Sequence, residues 1–100
     1  ENYHGNGNYC RLHEWMQTHA RKFGFYMAYT DNYHRTGFAY EPWHYSYKPL
    51  SVGYLKAYEK INLYDVLRSE NILGKKYLDQ NCLSSYIESH IHGINPELLS

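Results

Sequence analysis

No stretch of this sequence approaches the ~18 continuous apolar residues of a membrane-spanning helix, so no transmembrane segment is expected in the chain. No charge of one sign dominates. Ten Lys and Arg balance ten Asp and Glu, giving a formal net charge of zero. A dedicated nucleic-acid binder carries a basic excess gathered on one face, and this balance argues against one. Cysteine is scarce: Cys10 and Cys82 are too few for a disulfide scaffold and match no metal-knuckle spacing. They allow one bridge or two buried thiols, the second being the default. There is no internal repeat and no low-complexity linker, so the 100 residues are one domain or a portion of one. The basic start and apolar run of a secretory signal are missing. The chain begins with Glu1 rather than Met, which points to a processed, excised or truncated product, so the missing leader does not locate the parent protein.

Aromatic side chains are plentiful. They make up 18% of the chain, and thirteen of them are tyrosines. With 43% hydrophobic residues the composition is that of a folded protein. Tyrosine brings a large apolar ring and a hydroxyl that needs a partner, so the core is expected to be aromatic and edged with hydrogen bonds.

Residues 1–8 are rich in turn formers and read as loop. Leu12, Trp15, Met16, His19, Ala20 and Phe23 recur at steps of three and four, which predicts a helix over 9–23 with that face inward. Asn8 is the candidate cap, Arg21 and Lys22 suit the carbonyl end, and Gly24 suits the left-handed position beyond it. Phe25–Thr30 reads as a strand, 31–35 as a hairpin loop, and Thr36–Tyr47 as a second strand with Trp43, Tyr45 and Tyr47 on one face. Pro42 cannot donate to a ladder, so that strand is expected to be an edge or to bulge there. A helix is expected from Pro49–Ser51 to about residue 60, with Ser51 as cap and Val52, Leu55, Tyr58 and Ile61 as its apolar stripe. A short turn is expected over Leu63–Leu67. The last helix is expected from Lys75 to His92, with Leu78, Cys82, Tyr86, Ile87 and Ile91 inward and Gly93 and Pro96 ending it. The fold class is α+β: an antiparallel hairpin packed against helices. Residues 1–48 would form the helix and hairpin, and 49–100 a helical extension.

The stretch that carries chemistry is Glu41-Pro42-Trp43-His44. A neutral imidazole at His44 can give a lone pair to Zn²⁺, and Glu41 can take a proton from a water whose pKa the ion has lowered to roughly 7. Residues three apart on a regular strand point to opposite faces, so the two converge only if the backbone departs from the pleat, for which Pro42 gives a reason. From spacing alone the plainer reading, a surface ion pair and a half-buried ring, is ahead.

The surrounding run changes that balance. Gly37-Phe38-Ala39-Tyr40-Glu41-Pro42-Trp43-His44-Tyr45-Ser46-Tyr47 resembles the closing motif of the VanY-like D-alanyl-D-alanine carboxypeptidases, Gly-Tyr-x-x-Glu-x-Trp-His-x-x-Tyr. Leu12–Met16 with His19–Phe25 resembles the helix leading into that family's (Lys/Arg)-(Phe/Tyr)-Gly-Phe strand, and Arg35-Thr36-Gly37 its hairpin exit. Pro49–Leu55 and Gly93-Ile94-Asn95 are similar to a subgroup with an added helical tail. The resemblance implies a zinc peptidase of the hedgehog/D,D-peptidase fold acting on peptidoglycan stem peptides in the cell envelope, periplasmic or extracellular. It implies Glu41 as catalytic base, His44 as one zinc ligand, and Trp43 as a substrate-binding floor or a packing residue.

One departure stands against these agreements. The family's upstream Ser-x-His-x-x-Gly-x-x-x-Asp motif, which supplies two further ligands, is absent. His4 and Gly7 have the right separation, but Arg11 occupies the place of the Asp, and His4 lies too close to the first helix. The chain is therefore expected to be the C-terminal part of such an enzyme. One imidazole is not a zinc site, so this piece alone is expected to hold the ion weakly. Two alternatives stand beside the carboxypeptidase: an endopeptidase cutting between L-Ala and D-Glu, and a non-catalytic cell-wall-binding or structural remnant. The other histidines read as structural or solvated: His19 as a packed ring, His34 as a loop residue, and His90 and His92 as surface residues whose spacing diverges on a helix.

Overall fold

A computed structural model describes residues 7–100 of the chain. The order is α1 (Cys10–His19), a 3₁₀ turn (Ala20–Phe23), β1 (Phe25–Met27), a long irregular connection, β2 (Tyr45–Tyr47), α2 (Lys48–Glu59), α3 (Leu63–Ser69), a 3₁₀ turn (Lys75–Tyr77), α4 (Gln80–Tyr86), a π-helical turn (Ile87–Ile91) and a closing 3₁₀ turn (Pro96–Leu98). The fold is α+β. Among the described residues its sheet has two antiparallel strands, in the register Phe25↔Tyr47, Tyr26↔Ser46, Met27↔Tyr45.

Gly24 makes the helix-to-strand junction. Its φ of 88° is the left-handed value that ends the 3₁₀ turn, and its N–H donates back to Ala20 O and Arg21 O. A Cβ there would lie 2.9 Å from the Tyr47 ring, so the same glycine lets β2 approach. The ladder continues past both strand ends, with Lys48 N–H donating to Gly24 O at 2.8 Å and Ala28 N–H donating to His44 O at 2.9 Å.

Several expectations change. The inward face of α1 is His13, 7% exposed, with Met16 and Ala20, whereas Leu12, Trp15 and Phe23 are largely exposed. The apolar periodicity is real, but no described element covers that stripe. Trp15 instead stacks on Phe23 at 6.1 Å and tilts against His19 at 5.0 Å. Asn8 and Ser51 do not cap: the caps of α1 and α2 are Tyr9 and Tyr47, without side-chain bonds, and Ser51 lies inside α2 because Pro49 already suits its first turn. Side-chain capping falls to Asn62, Asp79 and Asn95. The second strand is three residues long rather than twelve. The predicted 75–92 helix is broken into a 3₁₀ turn, α4 and a π turn, the break falling at Leu78–Asp79, whose extended backbone precedes the Asp79 cap. Both cysteines are free, and Cys82 is exposed rather than inward. Tyr86 and Ile61 are exposed as well.

The C-terminal segment returns to the hairpin. Leu98, 2% exposed, is buried near Ser46, Leu55, Ile91 and Ile94. Arg21 pairs with Glu97, and His92 Nε2 lies 3.0 Å from Glu59 Oε1 on α2.

Candidate functional site

Glu41, Pro42, Trp43 and His44 form a β-turn rather than a bulged strand. His44 N–H donates to Glu41 O at 3.1 Å, and proline occupies the second position, where its fixed φ is favoured. Pro42 itself is buried. A turn brings its first and fourth residues close, which a pleated strand cannot do. The two side chains meet: Glu41 Oε2 lies 3.1 Å from His44 Nδ1, with both groups partly open to solvent. An ionised carboxylate only accepts, so the contact is a hydrogen bond when Nδ1 carries the proton. Nε2 makes no hydrogen bond among the described residues.

The connection 28–44 holds this turn. Glu41 N–H donates to Tyr29 O at 3.0 Å. The Tyr29 ring stands edge-on to His44 at 4.8 Å and packs against Phe38 at 5.3 Å. Arg35 organises the rest. Its guanidinium donates to Thr30 O through Nε (3.2 Å) and Nη2 (2.9 Å). Its Nη1 lies within bonding distance of Thr36 O (3.0 Å), Phe38 O (2.7 Å) and Gly93 O (3.1 Å). The cation also lies 5.7 Å from the centre of the Tyr29 ring. Sequence reading gave Arg35 no such role; a fork of five donors in a turn-rich loop is the signal that was there. Tyr40, just before the turn, has its phenol pushed above the usual tyrosine range, first by burial and then by the negative charge of Asp31.

Trp43 stands 53% exposed beside the pair. The remaining histidines lie elsewhere. His34 stacks on Tyr33 in the loop at 4.0 Å, and His90 sits against Tyr86 at 4.6 Å and Phe38 at 5.2 Å, with Ser89 Oγ 2.8 Å from its Nδ1. His4 lies outside the described residues. Among the described residues no three His, Cys, Asp or Glu side chains are grouped to hold a metal ion. What the turn brings together is one imidazole with a carboxylate against it. No described helix is long and apolar enough to cross a membrane.

No curated protein and no solved structure matches the chain. The family model described as D-alanyl-D-alanine carboxypeptidase, VanY, matches residues 2–50, the segment that holds α1, the hairpin and the Glu41–His44 turn. Over that segment the chain is similar to the VanY D-alanyl-D-alanine carboxypeptidase family.

Proposed function

We propose that the chain supplies the general base and one zinc ligand of a peptidase that removes the terminal D-alanine from peptidoglycan stem peptides in the cell envelope. The observation that carries the reading is the 3.1 Å approach of Glu41 to His44 on a turn inside the family-matched segment. His44 would hold the ion. Its Nδ1 is the nitrogen that faces Glu41; the ion would replace the proton through which Nδ1 donates to the carboxylate, and only a ligand on that side leaves the carboxylate next to what the ion binds. On Nε2 the same carboxylate would merely orient the ring. When bound, zinc polarises the scissile carbonyl and lowers the pKa of its water to roughly 7. Glu41 would accept the proton of the attacking water and return it to the leaving amine. Trp43 would lie beside the substrate as an exposed aromatic surface. A catalytic zinc takes three protein ligands, so the other two would come from outside the described residues.

The test uses the protein translated from the whole reading frame that contains this chain. With zinc present, Glu41→Gln is expected to keep the metal, by elemental analysis, while release of D-alanine from a D-Ala-D-Ala-ended peptide falls by at least ~10²-fold. His44→Ala is expected to lose both. Turnover retained in Glu41→Gln removes that residue from the mechanism. Cleavage between L-Ala and D-Glu, seen by mass spectrometry, replaces the carboxypeptidase with the endopeptidase. The absence of a three-residue metal cluster among the described residues favours a second reading, a non-catalytic cell-wall-binding remnant. Binding to peptidoglycan without any hydrolysis would establish it.

A further inference from the structure

Residues 93–98 lie well beyond the family-matched segment, yet they reach the strand peptide on which His44 hangs. In the register of this sheet Ala28 stands opposite His44 as a hydrogen-bonded pair, which would ordinarily exchange two bonds. Only one forms. Ala28 N–H donates to His44 O at 2.9 Å, but His44 N–H turns away to Glu41 O at 3.1 Å, closing the turn. The turn that brings Glu41 to His44 therefore deprives buried Ala28 of the partner for its carbonyl. Asn95 supplies the replacement, its N–H donating to Ala28 O at 2.8 Å. Its side chain fixes it there, with Nδ2 donating to Met27 O at 3.0 Å and Oδ1 accepting from Glu97 N–H at 3.0 Å. The neighbouring backbone is tied to the same connection, through Arg35 Nη1 to Gly93 O and through Thr36 Oγ1 donating to Ser89 O at 2.8 Å.

We infer that Asn95 is a positioning residue for the Glu41–His44 pair: by occupying Ala28 O it keeps the His44 N–H on Glu41 and the turn closed. Without Asn95, Ala28 O is buried and unpaired, and the nearest N–H that restores it is that of His44. Taking it extends the regular ladder, opens the turn, and sends the two side chains toward opposite faces of the strand. The functional meaning rests on the proposed peptidase reading; the coupling itself is a property of the backbone.

The experiment reads the acceptor of the His44 N–H by scalar coupling across the hydrogen bond in isotope-labelled full chain. No substrate or metal is needed, so failure here is distinct from a failure of Glu41→Gln to lose hydrolysis. The wild type is expected to couple His44 N–H to the Glu41 carbonyl. Asn95→Pro removes the donor at a residue whose φ of −48° proline tolerates, and is expected to move the coupling to the Ala28 carbonyl with the Tyr26–Ser46 rungs kept. Asn95→Ala loses both side-chain anchors and is expected to show the two couplings together. Leu98→Ala removes the buried anchor of the same turn without touching Ala28. It is expected to lower the melting temperature and leave the coupling on Glu41. The inference is overturned if Asn95→Ala shows the Glu41 coupling alone while Asn95→Pro is unchanged or unfolded. It is equally overturned if Leu98→Ala moves the coupling as Asn95→Pro does.

Discussion

Arg35 is the residue whose loss the site connection tolerates least. One planar cation bonds the carbonyls of Thr30, Thr36, Phe38 and Gly93 at once, so four separated peptide groups share a single point of attachment. Hydrogen bonds to a charged donor contribute more than neutral ones, and carbonyls left unpaired add their own penalty. Lysine keeps the charge but not the fork. Arg35→Lys is therefore expected to cost about 2–3 kcal/mol in denaturant unfolding. Amide exchange should rise first in residues 30–38; a midpoint equal to wild type would show the fork to be dispensable. A second residue-scale expectation concerns Cys82, which is exposed yet has its thiol raised above the usual range, chiefly by a hydrogen bond to Asp79 and then by that residue's charge. A raised thiol holds less thiolate at a given pH, and thiolate is the reactive form. Iodoacetamide at pH 8 should therefore label Cys82 more slowly than a model peptide. Asp79→Asn should speed the labelling; equal rates would deny the Asp79 contact.

The turns and helices show where one methyl group decides between gain and loss. Gly53 lies in α2 with open space around it, and Gly93 follows the π-helical turn with Ser89 O only 2.0 Å and Thr36 O 2.7 Å from where a Cβ would stand. Gly53→Ala is expected to gain about 0.5–1 kcal/mol from helix propensity and a less flexible unfolded chain. Gly93→Ala must push two backbone segments apart and is expected to cost more than about 2 kcal/mol. Thermal melts of the two variants shifting in the same direction would contradict this placement. The same scale explains what could be read from sequence. Helix existence and the left-handed Gly24 follow from spacing and turn chemistry, and Pro42 marks where the chain leaves the pleat, all local properties. The inward face of α1 was misread by about one residue because periodicity marks an apolar stripe without saying what covers it. The second strand shrank from twelve residues to three because the turn closed by His44 N–H takes that donor from the ladder. The anchoring roles of Arg35 and Asn95 are not legible in the sequence because their partners are backbone carbonyls 58 and 68 residues away at the farthest, and composition carries no trace of such bonds.

At the scale of the molecule the apolar surface is poorly covered. The chain exposes 7521 Å² and has a radius of gyration of 16.6 Å. A closed domain of this mass exposes about 6,000 Å² and has a radius near 13 Å. Buried apolar side chains among the described residues are confined to Ala20, Ala28, Pro42 and Leu98, while Leu12, Trp15 and Phe23 form an open aromatic and aliphatic stripe along α1. Heat capacity reports this directly, because the increment on unfolding follows the apolar area newly exposed to water. A compact chain of 100 residues gives about 1.2–1.5 kcal/mol/K. Since much of the stripe is already in water when folded, the increment here is expected to fall below about 1 kcal/mol/K, with correspondingly low cooperativity. Calorimetry at several protein concentrations makes the measurement. An increment in the ordinary range at every concentration would mean that the α1 stripe is covered within the monomer. One that rises with concentration would mean that copies cover each other, and sedimentation would then show the larger species.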